Sequence, residues 1–359
     1  MAEMLDAELQ RETELLQRSW MQHDPAKLRR YLVADVEDPR INIQSILSRH
    51  FIVEQLAGPG FAALREHELR FALVMNWLLN LREASVTQED LESILLGLRR
   101  GADNAEGVRI PGFVGQTFKS LAQATGTWGI PNYFELGFQA TERIPEAAAL
   151  VFQDVWNRVL KEHSSQRISL VEPACGSAND YRFFEAFGLA RFLDYTGFDL
   201  CEKNVVNAKE MFPHVRFEVA NALAPDFADG SFTCAVVHDL FEHLSLPAME
   251  RAVHELCRIT SQAICVGFFS MHEGKEHVVR HVDDYHWNTL SAWAIKDLFA
   301  REGFDVQLIH IDTFLQSCFH FDQAHNENAY TLVARVRQSS GSADVSPARI
   351  PEVWNRSAD

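Results

Sequence analysis

Ile168-Ser-Leu-Val-Glu-Pro-Ala-Cys-Gly-Ser-Ala-Asn-Asp-Tyr181 reads as a short apolar strand that ends in an acid, runs into small residues and opens a helix. Small residues let the backbone turn sharply and let a ligand approach it closely. A second apolar strand, Tyr195-Thr-Gly-Phe-Asp199, ends in an acid 27 residues past Glu172. The pair predicts a strand–turn–helix–strand unit with both acids at the same end of neighbouring strands.

The alternation continues downstream. Cys201 to Met211 is a helical run, Val215 to Ala220 a strand, and Phe232 to Val237 another strand that ends at His238-Asp239. Pro247 to Thr260 is amphipathic, and Ala263 to Phe269 is strand-like. Ser291 is a fitting N-cap for a helix to Glu302, stopped by Gly303. Val306 to Ile311 and Ala329 to Val336 are two final strands. Strands separated by single helices predict an α/β fold, a doubly wound, mostly parallel seven-stranded sheet with right-handed crossovers. The last two runs stand too close for a helical crossover, which predicts that one is antiparallel.

As an ordered set, these segments resemble the Rossmann-like class I methyltransferases that use S-adenosylmethionine, over roughly residues 165–337 and in their small-molecule type. The family's first motif, acid-x-Gly-x-Gly-x-Gly, stands here as Glu172-Pro-Ala-Cys-Gly-Ser-Ala178, with alanine in place of the outer two glycines and Gly176 in the central place. The resemblance implies S-adenosylmethionine as cofactor, held by Glu172, Ala174, Cys175, Gly176, Asp199, Leu200, Asn221, Ala222, His238 and Asp239. Within that set Asp199 matches the residue that binds the ribose hydroxyls, and Asn221-Ala222 matches the adenine contact. His238-Asp-Leu-Phe-Glu-His-Leu244 resembles the segment that lines the methyl-transfer pocket.

The chemistry suits such a ligand. A sulfonium cation is stabilised by carboxylates and aromatic faces, and one carboxylate accepts both hydroxyls of a ribose. Open α/β sheets bind ligands at the carboxyl ends of their strands, where the strand order reverses. Catalysis of methyl transfer rests on positioning and, for a hydroxyl or amine acceptor, often on a base. Four histidines are candidates for that base: His238, His243, His281 and His286. The bland alternative is that they are ordinary loop or surface residues. Asn221 also reads as a turn former, and Cys175 as a small buried filler rather than a nucleophile. No histidine spacing matches a metal-ligand motif, so no metal is expected.

The 359-residue chain carries a net charge of −17. That argues against a nucleic-acid partner, which calls for a basic face. Its six cysteines lack a CxxC pair and read as reduced thiols of a cytoplasmic protein. No apolar run reaches membrane-spanning length, and the N-terminus is not a secretory or transit signal.

Residues 1–145 read as a helical lid or dimerisation domain, 146–338 as the cofactor-binding domain and 339–359 as a tail. Phe71 to Leu81 is apolar nearly all round. It must be buried, first within the chain and second in a homodimer. Thr87-Gln-Glu-Asp90 opens a helix with a capping box in which Asp replaces the usual Glu or Gln. Tyr133, Phe134, Phe138 and Trp287 are candidate walls of an acceptor pocket, with core packing as the alternative. The reading is a methyltransferase for a small-molecule acceptor. A catalytically silent protein of the same fold, or a methyltransferase of proteins or peptides, are the alternatives.

Overall fold

The computed structural model describes residues 2–21, 42–58, 66, 68–70, 72–74, 77, 81, 86–99, 102–116, 167–321 and 326–337. Seven strands form one sheet: β1 (Ile168–Pro173), β2 (Leu193–Asp199), β3 (Arg216–Val219), β4 (Phe232–His238), β5 (Thr260–Phe268), β6 (Phe304–His310) and β7 (Tyr330–Val336). Their order across the sheet is β6-β7-β5-β4-β1-β2-β3. β7 runs antiparallel to both its neighbours, and every other pairing is parallel. The order reverses between β1 and β4, which places a ligand crevice above the carboxyl ends of those two strands.

Burial follows from the strand period. In β4, Cys234 and Val236 join one core while Ala235 and Val237 join the other, as successive side chains must. Both faces are covered, so the central strands read as apolar runs rather than alternating ones. Covering helices include α1 (Ala2–Met21), α2 (Ile43–Ala57), α3 (Gln88–Arg99), α4 (Asn179–Ala186), α5 (Glu202–Met211), α6 (Leu246–Ile259), α7 (Ala292–Arg301) and α8 (Ile311–Phe319). Three starts are fixed by side-chain caps. Asn42 accepts from Ser45 N, Ser245 from Ala248 N and Ser291 from Ala294 N. The Thr87–Asp90 box also forms: Asp90 accepts from Thr87 N at 3.0 Å, and Thr87 Oγ1 accepts from Asp90 N at 3.2 Å.

The N-terminal helices merge with the sheet's two cores. Leu9 and Leu16 of α1 pack on the α6–α7 face, while Ile46, Leu47 and Val53 of α2 pack on the other. Gln44 of α2 donates to the carbonyls of Phe268 and Tyr330 at 2.7 and 2.8 Å, gripping the ends of β5 and β7. Within the apolar segment, Ala72, Leu73, Val74 and Trp77 are buried inside this one chain, so their burial needs no second copy.

One sequence reading is corrected. A helix, α8, does fit between β6 and β7, yet β7 still inserts antiparallel between β5 and β6. The direction was right and the reason was not. The stretch after β5 is a folded arm. His281–Val282 pairs with Tyr285–His286, Met271–His272 pairs with Leu290–Ser291, and Val278 bridges Thr289.

Candidate active site

The turn after β1 is wound by three left-handed residues at alternate positions, Ala174 (φ 55), Gly176 (φ 54) and Ala178 (φ 64). Left-handed backbone costs an L-residue about 1–2 kcal/mol, so two alanines hold this turn under strain. Asp199 secures it from β2. Its Oδ2 accepts from Gly176 N at 2.9 Å, and its Oδ1 accepts from Cys201 N at 2.8 Å and Asn204 Nδ2 at 3.3 Å. Burial pushes the Asp199 carboxyl up, partly offset by these donors. Removing this carboxylate therefore costs structure, because it ties the turn after β1 to the start of α5.

Glu172 faces inward. It is 3 % exposed, accepts from Tyr195 OH at 2.6 Å and shares a hydrogen bond with Asp180. Burial and the Asp180 charge push its carboxyl well up. Asp180 in turn pairs with His238, Oδ2 to Nδ1 at 2.7 Å, and His238 Nε2 meets Ser48 Oγ of α2 at 2.8 Å. Burial pulls His238 down. The charge and hydrogen bond of Asp180, with Asp239 and Glu172, overcome this and hold it at about 9. His238 is thus an imidazolium with both N–H groups donated, and it has no lone pair for a substrate's proton. Ser48 is 1 % exposed and lies within reach of Gln44 O at 3.1 Å. The serine–histidine–aspartate order here is an internal strut between α2, β4 and α4, not a nucleophile.

Cys175 is a buried filler. Its Sγ would lie 3.0 Å from a Cβ at Gly197, and burial pushes its thiol well up. Leu200 is half-buried on the α6–α7 core. Asn221 accepts from Leu223 N at 3.0 Å and donates to Thr13 Oγ1 of α1 at 3.2 Å, so α1 lies against the end of β3. Glu12 of α1 accepts from Ser245 N at 2.7 Å and also from its hydroxyl. Phe198, Ala222, Leu240 and Phe241 line a small apolar cavity beneath this corner.

Beyond β4, Asp239 adopts φ 51 and is exposed. The protein crowding its carboxyl pushes it up to about 6, against the pull of His238. Glu242 crosses below, fully buried, and Oε1 accepts from Phe269 N at 2.8 Å while Oε2 has no partner. Burial and Asp239 push it up to about 8. Sequence reading passed over Glu242, though an acid inside Phe-Glu-His-Leu, flanked by apolar residues, was the available signal.

His243 differs from His238. Its Nδ1 donates to His286 O at 3.2 Å, which leaves the lone pair on Nε2. Burial draws its basicity down, against a small rise from that carbonyl. The rings of Phe269, Tyr285 and Trp287 lie 5.3, 5.7 and 5.3 Å from its own. His281 is exposed and its ring stands 4.9 Å from that of His286, whose Nδ1 is buried without a partner. Trp287 is 39 % exposed. Tyr133, Phe134 and Phe138 lie outside the described residues. Among the described residues no cluster of three metal-ligating side chains exists, and no helix is long and apolar enough to cross a membrane.

Residues 171–263 match the model of a methyltransferase domain family. Over those residues the chain carries a methyltransferase domain. The strand order and this match carry the assignment. None of the curated proteins matches the sequence. Solved structures with similarity include an S-adenosylmethionine-dependent methyltransferase from Methanosarcina mazei, 12 % identical, with a TM-score of 0.38 over 50 % of this chain and 98 % of that one. Another such methyltransferase, from Mesorhizobium loti, is 14 % identical at TM-score 0.38, covering 49 % and 95 %. The magnesium protoporphyrin IX methyltransferase of Synechocystis, with its cofactor bound, is 10 % identical at TM-score 0.35, covering 61 % and 89 %.

The residues at this edge suit S-adenosylmethionine, the donor that the sequence resemblance implies. The turn offers backbone close to the switch point, the edge carries an exposed carboxylate at Asp239, and an apolar floor lies beneath Ala222.

Proposed function

We propose that this methyltransferase acts on a small organic acceptor and that His243 is its base. The observation that carries the reading is the fixed tautomer of His243, with Nδ1–H on a backbone carbonyl and Nε2 free among three aromatic rings. A base needs an unprotonated nitrogen near neutral pH. Burial keeps His243 neutral, whereas His238 is charged.

The donor supplies an activated methyl group on a sulfonium. In this reading the backbone of Ala174 and Gly176 lies along it, Asp199 meets the ribose through its remaining acceptor capacity, and Leu200, Asn221 and Ala222 border the adenine. Glu172 and His238 act indirectly, by bracing the turn through Asp180. Asp239 and Trp287 face the acceptor, and α1 closes the adenine side through Thr13 and Glu12.

Methyl release from S-adenosylmethionine over a metabolite panel tests the reading. Turnover with a small acceptor, lost in His243→Gln with cofactor binding kept, supports it. Transfer only to proteins or peptides overturns the acceptor class. Cofactor binding without transfer to any acceptor favours a catalytically silent protein.

A further inference from the structure

Three features at one corner of the sheet edge bear on the chemistry of the acceptor. Asp239 is an exposed carboxylate, placed there by a left-handed backbone at φ 51. Strained non-glycine positions of this kind persist where the surroundings enforce them, often at ligand sites. The charged groups acting on Asp239 are His238, which attracts it, and Asp180, which repels it. No lysine or arginine is paired with it among the described residues. Glu242, three residues on, feels its charge and is itself buried with Oε2 unpartnered. The same turn leads to His243 and its rings, of which Trp287 is 39 % exposed.

We propose that the acceptor is a cationic amine, an ammonium group that docks on Asp239 against the rings of Phe269, Tyr285 and Trp287. This rests on the small-molecule methyltransferase reading and narrows it. An ammonium would pair with the exposed Asp239 carboxylate, which among the charged groups only the buried His238 attracts, and aromatic faces draw such a charge. A hydroxyl acceptor would satisfy a hydrogen bond and leave the charge unbalanced. A carboxylate acceptor would meet like charge at Asp239 and a chain of net charge −17.

The base fits an ammonium as well. An ammonium has no lone pair until a proton leaves, and His243 Nε2 takes that proton. The freed amine lone pair then forms the N–C bond to the methyl group. The C–S bond breaks, and its electron pair stays on sulfur as a neutral thioether. The positive charge passes from sulfonium to the methylated nitrogen, so charge and atoms balance, with one proton left on His243. A carboxylate acceptor would need no base.

The test compares three probes that share one ring and spacer: 2-phenylethylamine, 2-phenylethanol and phenylacetate. Each is titrated near neutral pH into the full-length protein saturated with S-adenosylhomocysteine. The amine is expected to bind at least about tenfold more tightly than the other two. Asp239→Asn should bring the amine to within about twofold of the alcohol, and Trp287→Leu should weaken the amine about fivefold. The proposal is overturned if the alcohol or the carboxylate binds as well as the amine. It is also overturned if none of the three binds, or if Asp239→Asn alters S-adenosylhomocysteine affinity and leaves the amine preference intact. Failure to bind S-adenosylhomocysteine at all would remove the methyltransferase reading itself, a result separate from the ranking of the probes.

Discussion

His238 and Asp180 form a buried ion pair, Nδ1 to Oδ2 at 2.7 Å, that ties the end of β4 to the first turn of α4. Because His238 is held at about 9, the folded state keeps a proton that the unfolded chain loses near 6.5. Its stabilisation is complete below 6.5, falls as pH rises, and is gone above about 9. Melting temperature should therefore drop across that window in the wild type. In His238→Gln that part of the slope should be missing, and a slope unchanged in the variant would show that the imidazole is neutral.

Glu242 makes an opposite kind of contribution. Its acid is held at about 8 against 4.5 for the free group, so burial opposes ionisation and the folded state loses stability steadily between those values. Glu242→Gln keeps the acceptor for Phe269 N and removes the titration. The variant should be more stable than wild type at pH 8, by a few kcal/mol on the order expected for a shift of this size. A variant less stable at that pH would mean that the carboxylate is ionised and welcome there.

Ala174 sits at φ 55 and is only half-buried. Glycine there relieves about 1–2 kcal/mol of left-handed strain and loses about 0.5–1 kcal/mol through a freer unfolded chain. Ala174→Gly should thus be neutral or up to about 1.5 kcal/mol stabilising in a urea melt. A clear loss of stability would say that the turn is not strained.

His243→Gln should lower turnover about 10²–10⁴-fold with cofactor affinity unchanged. Burial draws the His243 pKa below its usual value, so the wild-type rate should rise with pH on the acid side and level off before neutrality. The variant should lack that limb. A limb that persists in His243→Gln and vanishes in His286→Gln would move the base to His286.

Much of the sheet was legible because its strands are apolar runs bounded by small residues, and Ser291 capped its helix as read. The antiparallel β7 was anticipated, but from a spacing argument that α8 invalidates. α8 was missed although Ile311, Phe314, Leu315 and Phe319 carry helical spacing, because it is short and its first residue reads as the end of a strand. At the site, sequence order placed Glu172, Asp199, Asn221 and His238 at one edge. It gave no direction for their side chains. Glu172 turns inward because Tyr195, 23 residues on and in the neighbouring strand β2, offers it a hydroxyl. His238 is disqualified as a base by Ser48, 190 residues earlier, through a bond between elements that no local pattern encodes. His243 stands out only once His286 supplies a carbonyl from the folded arm.

The most direct measurement is a calorimetric titration of the full-length protein with S-adenosylmethionine, repeated in the presence of S-adenosylhomocysteine. One saturable site per chain, with the second compound competing for it, is the expected result. Absence of binding, or binding of a dinucleotide such as NAD at the same sheet edge instead, would contradict the methyl-donor assignment.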